Sequence, residues 1–425
     1  MKLFLPSQIK QYLEKRANEK WLNFNVDQKF NLVVVVPAIK ELDNIPILID
    51  SLSQNDEEAK SKSLILFVIN NSEQSLDDVV NNNEHSLTLL KKLKHDANTH
   101  ALNIEYIDAS SKGRELPSKD AGVGLARKIG MDQALLYADY LSQSLIVCLD
   151  ADCKVESNYL STLLNYTNKD IKAGVIKYAH EMDNEAIINY EMFLRYYVLG
   201  LKFADSPYAY HSIGSCMVID PITYVKIGGM NKKKAGEDFY FLEKAAKLVE
   251  IISIDETTII PSSRKSWRVP FGTGQRMTRF YKKVRDEYVL YDPQSFIILK
   301  KFLLLFLSDD NYSSQKILSE TKLICPELNQ FLVNNNFESA YQQIIKNSKS
   351  AEQLNRQKKI WFDSFKTLKL VHFLRDNGYP EMPMFDALNI VYTQLGLIEL
   401  ELHKENLLPS IQKQIEYLNL LRKLT

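Results

Sequence analysis

Between residues 31 and 260, short apolar runs alternate with amphipathic helical patterns, and this alternation constrains the fold more than any other property of the chain. Strand-like runs fall at Leu32 to Val36, Leu64 to Ile69, Ile104 to Ile107, Leu145 to Leu149, Ile213 to Ile219 and Ile251 to Ile254. Continuous apolar strands suit a parallel sheet covered on both faces, because neither face meets water. Between the first two runs, Ile45, Leu48, Ile49 and Leu52 recur at helical spacing, with Asp43 and Asn44 as caps and Pro46 in the first turn. That is a β-α-β unit. A second helix, predicted from near Asp120, places Val123, Ala126, Gly130 and Ala134 on one stripe, and Tyr159, Leu160, Leu163 and Leu164 form another helical face. The expected fold class is α/β, a Rossmann-like, mostly parallel sheet flanked by helices, whose ligands gather beyond the carboxyl ends of the strands.

From about Phe280 onward, stretches rich in Leu, Lys, Glu and Gln replace the alternation, as in Ile411 to Leu421. The chain is therefore expected to divide into an amino-terminal helical extension (1–30), an α/β domain (31–280) and a carboxyl-terminal helical domain or extension (281–425). The most apolar helical run, Phe296 to Leu307, contains Lys300 and Lys301 and falls short of the roughly 20 residues a membrane span needs. It is predicted to pack internally, with peripheral membrane contact as the alternative. The 53 Lys and Arg balance the 53 Asp and Glu, so bulk charge points to neither nucleic acid nor an anionic membrane. Cys148, Cys153, Cys216 and Cys325 lie far apart, mostly in apolar runs, as reduced packed thiols do. The start Met1 to Pro6 lacks the apolar core of a signal peptide. A cytoplasmic protein is expected.

The fourth apolar run leads into Asp150-Ala151-Asp152. In an extended chain alternate side chains share a face, so both carboxylates would point the same way and hold Mg or Mn through oxygen, leaving other positions for phosphate and water. Such a metal would neutralise a diphosphate leaving group. Asp-x-Asp alone is common, and a solvated turn is the competing reading. A second acidic pair, Glu237-Asp238, follows Gly228-Gly229 and the basic loop Asn231 to Lys234 and opens the helical run Phe239 to Leu248. It either complements the helix dipole or supplies a general base. Farther on, Arg264 and Arg268 flank Trp267 ahead of Gly272 and Gly274. Guanidinium groups bind phosphate oxygens through paired donors; a basic surface loop is the alternative. His211 reads as a packed imidazole or a neighbour of the metal, and Trp267 as a loop anchor or a sugar-stacking ring. Asn81-Asn82-Asn83 reads as surface loop.

In their order, these segments resemble the inverting family 2 nucleotide-sugar glycosyltransferases, which have the A-type glycosyltransferase fold; the resemblance covers about residues 31 to 275. The stretch Val35 to Ile45 looks like the opening strand and loop that receive the nucleotide, which implicates Pro37, Ala38 and Glu41. Gly122 to Gly130 is similar to the family's Gly-x-x-x-Ala-Arg-Asn-x-Gly helix, with Arg127 at its arginine, and the family's Asp-x-Asp falls on Asp150 and Asp152. Gly214 to Ile219 and Ile227 to Met230 look like its donor-side strand and double-glycine turn. The Glu-Asp that follows matches Glu237-Asp238, and the resemblance implies that Asp238 is the catalytic base.

Four departures qualify the match. Lys40 stands where Asn is usual. Asn70 and Asn71 stand where a carboxylate often recognises a uracil-type base, although an amide also meets a base edge; the nucleotide is left open. Lys128 replaces the Asn after Arg127, adding phosphate affinity or only a surface charge. Arg264 and Arg268 replace the Gln-x-x-Arg-Trp signature of processive synthases. The implied activity is that of a Mg- or Mn-dependent, inverting, hexosyltransferase-type enzyme that moves a sugar from a nucleotide-diphosphate sugar to an unknown hydroxyl acceptor (glycan, lipid or small molecule). A noncatalytic nucleotide-sugar-binding protein and a sugar nucleotidyltransferase are the alternatives; Pro37 to Asn44 has no glycine, so the phosphate loop expected of the latter is missing.

Overall fold

A computed structural model describes residues 5–95, 101–264, 272–310, 312–396 and 408–425. The chain forms two compact units, one of Met1–Glu181 with Ser212–Gln275 and one of Met182–His211 with Arg276–Thr425. It therefore passes between units at three places, not only near residue 280.

The first unit is built on a sheet of eight strands in the order β3-β2-β1-β4-β7-β6-β8-β5. These are β1 (Leu32–Ala38), β2 (Ser63–Asn70), β3 (Asn103–Ala109), β4 (Leu145–Cys148), β5 (Lys154–Val155), β6 (Ala173–Tyr178), β7 (Met217–Ile219) and β8 (Ile252–Ile260). β3, β2, β1 and β4 run parallel, with Val34 opposite Ile65 on one side and Val147 on the other. β1 is buried on both faces. Leu32, Val34 and Val36 meet Ile45, Leu48, Ile49 and Leu52 of the Asn44–Ser53 helix. On the opposite face Val35 lies against Gly130 of the Val123–Tyr137 helix, so tightly that a Cβ on Gly130 would sit 2.3 Å from Val35 Cγ1. Each fully buried aliphatic side chain here contributes about 1.5–3 kcal/mol, and the two-sided cover explains the unbroken apolar run.

Beyond β4 the sheet departs from the expected pattern. Of the run Ile213 to Ile219 only Met217–Ile219 is strand, Gly214–Cys216 being a 3-10 turn, and β7 is antiparallel to both β4 and β6. β6 has a weak apolar signature because Gly174 and Lys177 interrupt it, and its pairing with β8 shifts register between Ile176 and Lys177. At the amino terminus only Ser7–Arg16 and Glu19–Trp21 are helical, and Ile9, Tyr12, Leu13 and Trp21 are buried within the first unit. These two helical segments group with the α/β unit.

The second unit is helical, from Glu185–Phe203 through Pro293–Phe306 to Ile411–Leu424, with one two-stranded ribbon, β9 (Val289–Leu290) and β10 (Met382–Pro383). Phe296, Leu299, Phe302 and Phe306 of the Pro293–Phe306 helix lie in its core. No helix among the described residues is long and apolar enough to cross a membrane.

Candidate functional site

β1 and β4 are adjacent and parallel, so the segments leaving their carboxyl ends start side by side. β4 stops at Cys148, and Cys153 N donates to Asp150 O at 3.1 Å, closing a turn over Asp150–Cys153. The expected extended Asp-x-Asp is instead a turn, and its two carboxylates pair with different arginines. Asp150 Oδ1 accepts from Arg127 Nη2 at 2.5 Å, and Asp152 Oδ2 accepts from Arg264 Nε at 2.8 Å. Arg264, which follows β8, also pairs with Glu41 Oε1. Glu41 stands in the loop after β1, only 2 % exposed, and its other oxygen accepts from Asn44 Nδ2 at 2.5 Å.

Arg127 is the centre of the arrangement. It projects from the Val123–Tyr137 helix, is 3 % exposed, and pairs with Glu237 as well as Asp150. Two glycines make room for this. A Cβ on Gly214 would meet the Arg127 guanidinium at 2.4 Å, and one on Gly124 would meet Lys233 O at 2.3 Å and Glu237 Cβ at 3.1 Å. Glu237 and Asp238 form the first turn of the Glu237–Ala246 helix, preceded by Gly236 in the left-handed region at φ 68°. Asn231 Nδ2 donates to Glu237 O at 2.8 Å and pins the preceding loop to that turn.

Electrostatically, one guanidinium faces three carboxylates. Burial tends to lower the Arg127 pKa, but Asp150 and Glu237 override it and raise it. Burial pushes the Glu237 carboxyl up to about 7 against the pull of Arg127, with Asp238 adding to the rise. The half-buried Asp238 is also pushed up by burial, with Arg127 opposing and Asp150 contributing. Glu237, sealed in its ion pair, is suited to positioning, whereas Asp238 is free of a salt bridge to Arg127 and retains more access. A carboxylate whose pKa is lifted toward neutrality is the kind of group that moves protons.

The residues expected on the nucleotide side divide. Pro37 and Ala38 end β1, and Ala38 O accepts from Asn70 Nδ2 at 3.1 Å. Asn70 and Asn71 are 4 % and 1 % exposed. The Asn71 amide nitrogen reaches Ser72 O and Ser110 O at 3.2 and 3.3 Å, and its oxygen accepts from Asn83 Nδ2 at 2.8 Å. Both amides therefore tie strand ends together. Asn83 lies not in a surface loop but in the Asp77–His95 helix, 1 % exposed, and its oxygen accepts from Lys40 N at 3.0 Å, where Lys40 has φ 55°. The spacing Val79, Asn83, Ser86, Leu90 was the signal for this buried helical face. Lys128 is neither a surface charge nor part of this cluster, since it is buried and donates to Asp132 and Tyr12. His211 belongs to the second unit, its pKa pushed down to about 3 by burial and by Arg195 and Lys202. Arg268 and Trp267 lie outside the described residues.

No family model and no curated protein matches the chain. Among solved structures it is similar to residues 1–349 of TarS from S. aureus in complex with UDP-GlcNAc, at 13 % identity over 74 % of this chain and 92 % of that one, with a TM-score of 0.39. It is also similar to the mannosyltransferase PcManGT from Pyrobaculum calidifontis in complex with GDP-Man and Mn2+, at 13 % identity over 98 % of this chain and 91 % of that one, TM-score 0.38. A third is glucosyl-3-phosphoglycerate synthase from Mycobacterium tuberculosis with Mn2+ and UDP, at 11 % identity over 69 % and 82 %, TM-score 0.33.

Proposed function

We propose that the first unit is a metal-dependent, inverting glycosyltransferase that moves a sugar from a nucleotide-diphosphate donor to a hydroxyl acceptor. The observation that carries this reading is the convergence of Asp150, Glu237 and Asp238 around Arg127 at the carboxyl edge of β1 and β4, where open parallel sheets bind ligands.

The donor set suits a hard cation. Asp150 uses only Oδ1 on Arg127 and is about a third exposed, and Asp150 and Asp152 offer oxygen alone. Among the described residues no group of three or more His, Cys, Asp or Glu could hold a metal. Mg is typically bound by one or two carboxylates and completed by substrate phosphates and water. Asp150 and Asp152 would hold such an ion, which supplies charge neutralisation of the departing diphosphate.

The chain's own groups do the rest. Arg264 leaves its pairs with Asp152 and Glu41 to take phosphate oxygens through its two-pronged donor face. Glu237 fixes Arg127, and Arg127 fixes Asp150. Asp238 takes the proton from the acceptor hydroxyl as the acceptor oxygen bonds to the anomeric carbon, while the bond from that carbon to the diphosphate oxygen breaks on the opposite side. The configuration inverts in that single displacement.

A thermal-shift series with UDP, GDP, ADP and CDP, each with Mn, with Mg and with chelator, tests the donor side. One nucleotide should stabilise the protein only with metal, and Asp152→Ala should abolish that dependence. Stabilisation by none of them, or an unchanged metal response in Asp152→Ala, overturns the reading.

A further inference from the structure

The Val123–Tyr137 helix that presents Arg127 has a second polar face. One position on, Lys128 points elsewhere: its Nζ donates to Asp132 Oδ2 at 2.7 Å and to Tyr12 Oη at 2.9 Å. Tyr12 and Tyr224 both donate to Asp132 Oδ1, at 2.8 and 2.7 Å. Asp132 is thus consumed by an ammonium and two hydroxyls, all buried, while the ammonium has a third N–H.

Beside this network lies a cavity of about 60 Å³, lined on its charged side by Arg16, Lys128 and Lys232 and on its apolar side by Trp21, Leu125 and Ile129. A water needs only about 10–15 Å³, so the space admits a group of several heavy atoms. The three cations come from separate segments: the last turn of the Ser7–Arg16 helix, the Val123–Tyr137 helix and the loop before Glu237. Against them the cavity sets Asp132, already occupied, and Asp120, whose Oδ2 is 3.9 Å from Lys232 Nζ.

We propose that this cavity binds a small organic anion, a carboxylate or phosphate monoester on a short carbon skeleton, at a site separate from the carboxylate cluster on the other side of the helix. Its charged head meets Lys128, Lys232 and Arg16, and its skeleton lies against Trp21, Leu125 and Ile129. Lys232 belongs to the loop that Asn231 pins to Glu237 and that packs against Gly124. An occupant therefore ties that loop to the helix carrying Arg127.

The test is fluorescence titration of the full chain with glycerol 3-phosphate and with malonate, glycerol serving as the neutral control. At least one anion should change the emission saturably at millimolar concentration, and which one does so identifies the head group; Trp21→Phe should remove the change. Arg16→Ala/Lys232→Ala alters two solvent-exposed side chains, should keep the unfolding temperature, and should weaken binding by at least about tenfold through two lost charged contacts. No saturable change with either anion, full affinity in the double variant, or displacement of the anion by a nucleoside diphosphate overturns the proposal. Nucleotide binding measured on the same samples separates this outcome from a failure of the donor site.

Discussion

Each unit buries an arginine cluster, and the two clusters follow different rules. In the second unit Glu191, fully buried, accepts from Arg195 Nε at 2.7 Å, one helical turn along, and from Arg422 Nε and Nη2 at 2.7 and 2.9 Å. Arg195 also donates to Thr425 Oγ1 at 2.9 Å. Here two arginines share one carboxylate and lock two helices of one unit together. In the first unit a single guanidinium is shared among carboxylates from different elements, and Arg127 Nε has no hydrogen-bond partner among the described residues. Burying negative charge in excess is costly unless it is paired. The difference separates a cluster that serves packing from one whose excess of carboxylates is what the proposed donor site calls for.

The contrast can be broken at several points. Asp238→Asn should cut turnover by about 10³-fold, within the usual range for a lost general base, while nucleotide affinity and unfolding temperature stay unchanged; normal turnover would remove the base assignment. Glu191→Gln should cost about 3–5 kcal/mol in urea unfolding because two arginines lose their buried counter-charge. A cost under about 1 kcal/mol would make that cluster no more structural than a surface pair. Gly124→Ala, whose new methyl would press on Lys233 O, should cost about 1–3 kcal/mol and lower turnover, since the loop before Glu237 must shift.

The smallest effect is one of pH. Glu237 and Asp238 have folded pKa values raised above their ordinary ones, so between the ordinary carboxylate range and about 7 the folded state holds protons that the unfolded state has lost. Stability of the first unit should therefore fall as pH rises through that window, and Glu237→Gln should flatten the slope. Turnover should rise with pH as the Asp238 carboxyl, which burial also pushes up, loses its proton. A stability that climbs with pH there would show that the carboxylates are fully paired.

The parallel half of the sheet was legible because β1, β2 and β4 are buried on both faces and read as continuous apolar runs. β6 and the antiparallel turn of β7 were not, since a glycine, a lysine and a three-residue strand leave too little pattern. Among the site residues, the residue pattern alone pointed to Asp150, Asp152, Glu237, Asp238 and Arg264, the family resemblance added Arg127, and the structure brings Arg127, Asp150 and Glu237 into contact. Which arginine takes which carboxylate depends on the turn after Cys148, and that is a tertiary fact. The backbone bonds of Asn70 and Asn71 were not legible for a related reason: a polar residue at a strand end serves ligand or backbone alike, and its hydrogen-bond partners are set by the fold.

The helix Glu185–Phe203 leaves the first unit early and is clasped by Ile411–Leu424 through Glu191 and Arg422. During synthesis at about 5–20 residues per second, its clasp is made roughly ten to forty seconds later. For most of that interval, once β8 has been made, the ribosome holds a nascent chain that contains every strand of the sheet while Glu191 and Arg195 still await their seal. Chaperone demand should accordingly concentrate on this one early helix.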